Sequence, residues 1–307
     1  MKVLSIDGGG IRGLIPALVL AEVERRTGRP IRECFDLIAG TSAGGIIACA
    51  LAKPDPLPAA RLADLYVEEG PRIFRRSLLK RIFSVEGLVD ERYEDDGLSE
   101  ALRRYLGDAR LSQCRPDVMV TAYDIEGRFA MFFRSARAKR DPTYDFTLTD
   151  VARATSGAPT YFEPAQVTDV AGGRTYALVD GGVFAVNPAL CAHVDVLATG
   201  APPALLASLG TGEQTRAYPY RQARWWGQLE WARPLIDIVF DGVADTVEFQ
   251  LAGILGDRYT RLQVRLREAS NDFDDASENN LAALRREAGR LIRDRGAAID
   301  RLCAAVT

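Results

Sequence analysis

Histidine is almost absent from this chain: His193 is the single copy in 307 residues. Every imidazole-dependent mechanism would therefore have to run through that one position. Tryptophan is nearly as scarce, and Trp225, Trp226 and Trp231 all fall in one short stretch. The five cysteines (Cys34, Cys49, Cys114, Cys191, Cys303) are odd in number, scattered and without CxxC spacing. That pattern argues against a disulfide framework or a zinc site and for buried reduced thiols. Cys49, two turns beyond Ser42, suits helix packing. No metal-ligand cluster is visible, and neither metal nor cofactor is expected. No apolar run approaches the ~20 residues that span a bilayer, and no basic n-region precedes an apolar h-region. The expectation is a cytoplasmic protein whose membrane contact, if any, is peripheral to the inner face. A net charge of −3 gives no electrostatic case for nucleic acid.

What the chain does have is glycine in telling places. After Phe35-Asp36, the apolar run Leu37-Ile38-Ala39 leads directly into Gly40-Thr41-Ser42-Ala43-Gly44. This is the sequence form of a nucleophile elbow, in which a buried strand turns sharply into a helix and lifts a serine hydroxyl out of the fold. Gly40 and Gly44 leave room for the turn. The partial positive charge of the helix N-terminus favours an alkoxide at Ser42. A glycine-serine turn capping an ordinary helix gives the same pentapeptide.

A second cluster follows the first strand-like run: Asp7-Gly8-Gly9-Gly10-Ile11-Arg12-Gly13. Three adjacent glycines expose successive N–H groups, a donor array that binds an anion. Beside an elbow serine, that anion would be the tetrahedral intermediate of acyl transfer. Gly8, Gly10 and Gly13 also spell G-x-G-x-x-G. A dinucleotide fold expects an acidic residue at the end of the second strand, and here that run ends in Gly40-Thr41-Ser42. A Walker loop is excluded because no lysine follows the glycines. The third element, Tyr176-Ala177-Leu178-Val179-Asp180-Gly181-Gly182, is a strand that stops on a carboxylate with a flexible backbone after it, a tripeptide that a plain turn also explains. The order and strand-end placement of all three carry more than any one alone.

Together these blocks resemble the oxyanion loop, nucleophile elbow and Asp-Gly motif of the patatin-like phospholipases. Ala154-Thr155-Ser156-Gly157-Ala158-Pro159-Thr160-Tyr161-Phe162 resembles the stretch that the family places before its aspartate. The similarity runs from Lys2 to about Gly212. It implies an α/β fold, a three-layer α/β/α sandwich with a mainly parallel sheet, and a lipid acyl hydrolase working through a Ser-Asp dyad. By the same resemblance Ser42 is the nucleophile and Asp180 the base. Gly8, Gly9 and Gly10 are the oxyanion donors with Arg12 in support, and Gly13, Gly40, Gly44, Gly181 and Gly182 hold the motifs. A dissolved aspartate is a poor base at neutral pH, so the site should desolvate Asp180 or share its proton with Ser42.

Along the chain, strand-like runs at Val3–Ile6, Leu37–Ala39, Val118–Tyr123, Ala177–Val179 and Leu205–Leu209 alternate with helical patterns. The alternation predicts a mainly parallel sheet covered on both faces. The expected organisation is one domain over 1–307. Its core spans 1–212 and carries a helical, lid-like insertion at about 54–116, and a C-terminal helical extension over about 213–307 includes a strand at Tyr259–Leu266. Ser277 should cap the first of two final helices. His193 falls nearly two turns into a helix after Asn187-Pro188, which reads as structural. The run from Pro71 to Phe83 mixes basic and apolar residues that interleave on a helical projection, and packing within the lid is expected over an anionic interface. The tryptophans fit ordinary packing, with acyl-chain contact or interfacial anchoring as alternatives.

The expected partner is a phospholipid or another acyl-ester lipid. Two other readings stay open: an idle or nucleotide-binding module that keeps the glycine loop, and the same chemistry in an effector activated by a cyclic nucleotide, as in some bacterial relatives of the resembled family. Peripheral membrane contact and a homo-oligomer are compatible with everything above.

Overall fold

The computed structural model describes residues 1–74 and 95–307. One sheet organises them, in the order β5-β6-β3-β2-β1-β7-β8 with β4 paired to β3. Its strands are β1 (Lys2–Ile6), β2 (Leu37–Thr41), β3 (Asp117–Asp124), β4 (Phe129–Arg134), β5 (Ala165–Thr168), β6 (Thr175–Asp180), β7 (Leu205–Leu209) and β8 (Tyr259–Leu262). β3, β2, β1, β7 and β8 run parallel. β4, β6 and β5 add an antiparallel end. The sheet is thus more mixed than the apolar runs suggest, because β4 and β5 were not legible as strands. β8 also makes the C-terminal part of the chain a sheet component as well as a helical extension.

Period-two alternation along the central strands divides two cores. Leu4, Ile6, Ile38, Val118 and Val120 face one way, against α1 (Leu14–Thr27), α2 (Ala43–Ala52), α5 (Leu148–Thr155), α8 (Glu278–Asp294) and α9 (Gly296–Val306). Val3, Leu37, Ala39, Met119 and Leu206 face the other way, against α6 (Ala189–Leu197) and α7 (Gln228–Leu255). The result is the three-layer arrangement that the alternation implies. α3 (Ala59–Ile73) and α4 (Asp95–Leu106) stand beside α2 within the first layer. Most of the basic-apolar run, from Arg75 to Phe83, lies outside the described residues. Ile73 and Phe74, at its start, pack against the core. Ser277 caps α8 as expected, its hydroxyl accepting from the Asn280 amide.

Two details of register position the site. β2 occupies the edge of β3 as far as Thr41 opposite Thr121. β6, running the other way along the same edge, ends with Asp180 opposite Ala122, while β4 takes the opposite edge. Two strands therefore meet head to head, and the residues at their tips, Ser42 and Asp180, become neighbours although 138 positions separate them.

Candidate active site

Ser42 sits between β2 and α2 with φ 54° and ψ −125°, a left-handed conformation that costs about 1–3 kcal/mol for a residue with a side chain. The surroundings over-determine it. A Cβ on Gly40 would lie 2.2 Å from the Gly44 carbonyl oxygen, and one on Gly44 would lie 2.2 Å from that of Ile6. Only glycine lets strand and helix close to that distance. The Ser42 amide, left without a strand partner where β2 stops, donates to Thr155 Oγ1 at 2.8 Å. The same hydroxyl donates to the Thr121 carbonyl at 2.7 Å. Thr155 thus satisfies both backbone groups at the junction of β2 and β6.

Asp180 is 2% exposed. Its Oδ1 accepts from the Gly182 amide at 2.7 Å, and the Ser42 hydroxyl stands beside it at the polar end of one cavity, close enough to act on the carboxyl. Burial pushes the carboxyl up to about 7, against the lowering effect of the Ser42 hydroxyl and the Gly182 amide. The desolvation that a Ser-Asp pair needs for a proton transfer near neutrality is present.

The glycine loop lies across from this pair. Its entrance is fixed by Asp7, whose Oδ2 accepts from Arg261 Nη2 at 2.6 Å, while Arg261 Nη1 donates to Ser208 Oγ at 2.8 Å. Both charges are buried, so each depends on the other. The Gly8 amide donates to the Val186 carbonyl at 2.9 Å and is spent within the fold. Among the described residues, the amides of Gly9 and Gly10 have no such partner. Gly9 is pressed on Thr211, whose Oγ1 would lie 2.2 Å from a Cβ there and donates instead to the Gly8 carbonyl at 2.7 Å. Arg12 is buried behind the loop, its guanidinium 4.1 Å from the centre of the Phe273 ring. Desolvation lowers it to about 10, against the raising effect of Asp241 and Asp237. It does not line the cavity that holds Ser42, so its support for the loop is indirect.

That cavity measures about 370 Å³ and is walled mainly by apolar side chains, including Ile46, Leu62, Leu102, Phe162 and Val239. Gly8, Gly9, Gly10, Ser42 and Asp180 form its polar end. A model of the patatin-like phospholipase family matches residues 4–193. The chain belongs to that family.

Lipid hydrolysis is the chemistry for which the family is named, and patatins and patatin-like proteins align with most of the chain. Patatin-like protein 2 of Arabidopsis thaliana is 36% identical over 295 residues, covering 83% of this chain and 72% of the relative. Patatin-like protein 2 of Oryza sativa subsp. indica is 32% identical, covering 92% and 81%. Probable inactive patatin-3-Kuras 1 of Solanum tuberosum is 30% identical, covering 92% and 84%. One relative is thus named as inactive, so activity in this patatin-like chain has to be argued from its own residues. Among solved structures, VipD of Legionella pneumophila aligns with a TM-score of 0.37 at 11% identity, over 94% of this chain and 67% of its own, which carries no argument.

The remaining positions fall as follows. Gly13 accommodates Tyr66, whose hydroxyl would lie 2.4 Å from a Cβ at Gly13 and donates to the Ala43 carbonyl at 3.1 Å. Gly181 abuts Thr121. His193 is buried in α6 and does not line the cavity. All five cysteines are free thiols, and four are buried. The tryptophans depart from core packing: Trp225 is 76% exposed, while Trp226 packs on Trp231 with ring centroids 5.1 Å apart. Three participants were not singled out by sequence. Thr155 lies inside a motif whose sequence assigns it no role, Arg261 pairs across 254 positions, and Glu69 is a buried carboxylate in the cavity wall that accepts from Tyr105 at 2.9 Å and Arg104 at 3.0 Å. A glutamate in a helix reads as a solvated face, and only the packing of α3 on α4 says otherwise.

Proposed function

We propose that this chain is a lipid acyl hydrolase of phospholipase A or lysophospholipase type, working through a Ser42–Asp180 dyad and an acyl-enzyme. The observation that carries the reading is the juxtaposition of an elbow serine with a carboxyl raised toward neutrality by burial, at the polar end of an apolar cavity. Asp180 takes the proton from Ser42 Oγ as the oxygen attacks the ester carbonyl. The free amides of Gly9 and Gly10 receive the charge that develops on the carbonyl oxygen, aided by the N-terminus of α2. The Gly8 amide, already donating to the Val186 carbonyl, takes no part in this. Collapse of the tetrahedral intermediate expels the alcohol or lysolipid with the proton from Asp180. Water then gives its proton to Asp180 and attacks the acyl-Ser42 ester, and collapse of the second tetrahedral intermediate releases the fatty acid as Asp180 returns the proton to Ser42 Oγ.

The acyl chain fits the apolar walls, and each methylene removed from water contributes about 0.8 kcal/mol to binding. Incubation with mixed phospholipids and mass spectrometry of the products tests the reading. Free fatty acid and lysolipid are expected from the intact chain and not from Ser42→Ala. Equal product from both would overturn the nucleophile assignment.

A further inference from the structure

α7 is a helix with two apolar sides and only one of them packed. Val247, Leu251 and Leu255 are buried against the sheet. Its carboxylates Asp237, Asp241 and Glu248 lie on the flank that faces Arg12 and Arg261, and exposed Asp245 lines the same recess at the edge of the outward stripe. The outward stripe, at helical spacing, holds Leu235, Ile238, Val239, Gly242, Thr246 and Phe249, with no charge among them. Leu235 is 53% exposed, Ile238 44% and Phe249 81%. A helix apolar on both sides is ordinarily covered on both, and a contiguous exposed apolar strip of this kind marks an interaction surface.

Two observations identify what covers it. Leu235 and Val239 are exposed and also line the cavity that holds Ser42, so the stripe is continuous with the cavity rim. At the N-terminal end of α7, exposed Tyr220 and Trp225 stand with exposed Arg221 and Arg224, and the Arg224 guanidinium lies 4.4 Å from the centre of the Trp225 ring. Amphipathic aromatics beside cations suit the head-group level of an anionic bilayer. A second copy on the same face would stop the opening through which an acyl chain must pass.

We propose that the outward face of α7 docks on a lipid bilayer, seating the cavity rim against the surface from which substrate is drawn. This rests on the hydrolase reading above, and the test separates the two. The full chain carrying Ser42→Ala, which keeps the lipid intact, is sedimented with phosphatidylcholine–phosphatidylglycerol vesicles, with and without the pair Ile238→Glu and Phe249→Asp. Both positions are exposed, and neither lines the cavity. The parent is expected to bind, and the pair to lower its partitioning at least about tenfold, the least that withdrawing a large buried apolar side chain produces. With Ser42 restored, the pair should hydrolyse a water-soluble short-chain nitrophenyl ester within about twofold of the parent, as surface changes usually permit, and lose at least about tenfold on vesicles. Unchanged partitioning of the pair would overturn the surface. So would a parent that ignores vesicles and elutes as a dimer which the pair dissociates, since a second copy would then be the occupant. Absence of ester turnover in the intact chain would overturn the hydrolase reading alone, with the sedimentation result still deciding the surface.

Discussion

Asp180→Asn should make the protein more stable while removing its activity, and the gain should depend on pH. Burial raises the Asp180 carboxyl from 3.8 to about 7. Its folded pKa therefore lies above its unfolded value. Below about pH 4 the group is neutral in both states and costs nothing. As pH rises from about 4 to about 7, the unfolded chain ionises while the folded chain keeps its proton, so stability falls across that window and then levels off. A gap of about three pH units, at about 1.4 kcal/mol per unit, is worth about 4 kcal/mol above pH 7. Asparagine has no such cost. Its oxygen can still accept from the Gly182 amide, and its NH2 group can donate to Ser42 Oγ. At ~2.1 cal/mol/K of unfolding entropy per residue, that difference raises Tm by about 6 °C. Urea unfolding of the two proteins at pH 4.5 and pH 8 measures it, and any constant misfit of the amide cancels in the comparison. A stability difference that is the same at both pH values would refute the claim that Asp180 is desolvated, and the argument for it as a base near neutrality would go with it.

Other outcomes follow from the same geometry. kcat/KM for a soluble ester should rise through an apparent pKa near 7, since the base must be ionised; a profile flat from pH 5 to 9 would contradict that role. Arg261→Met should cost about 3–5 kcal/mol, measured by denaturant unfolding, because it leaves the buried Asp7 carboxylate without its partner. Gly9→Ala forces a Cβ to within 2.2 Å of Thr211 Oγ1, so loss of rate is expected to come with a lower Tm. In the Thr211→Ser background the clash with the Thr211 methyl, 2.9 Å away, is relieved while that with Oγ1 remains, so at most part of the Tm should return. His193→Gln should retain most of the activity, since the imidazole lies outside the cavity; a loss of several orders of magnitude in initial rate would restore a histidine base.

The parts of this site that sequence made legible are local ones. Each motif stands at the end of a strand, and β1, β2 and β6 present apolar runs that stop on Asp7, Ser42 and Asp180. What sequence could not supply is the meeting of β2 and β6 along one edge of β3, because register is set by the whole sheet. The bridging hydroxyl of Thr155 and the ion pair of Arg261 with Asp7 are long-range contacts whose residue types carry no local signal. The same holds within the glycine loop: three glycines in a row suggest three donors, and only the bond from Gly8 to Val186 separates the first from the other two. The outer face of α7 was hidden for the opposite reason, since an apolar periodicity on two sides of a helix reads as burial.

In the proposed mechanism Ser42 carries the acyl group. Quenching the intact protein in acid during the first turnovers of a nitrophenyl ester, then mapping its peptides by mass spectrometry, addresses this directly. The mass of one acyl group is expected on the peptide containing Ser42, lost again as the reaction runs out. An acyl group on any other residue, or turnover with no covalent acyl-protein at all, would contradict it.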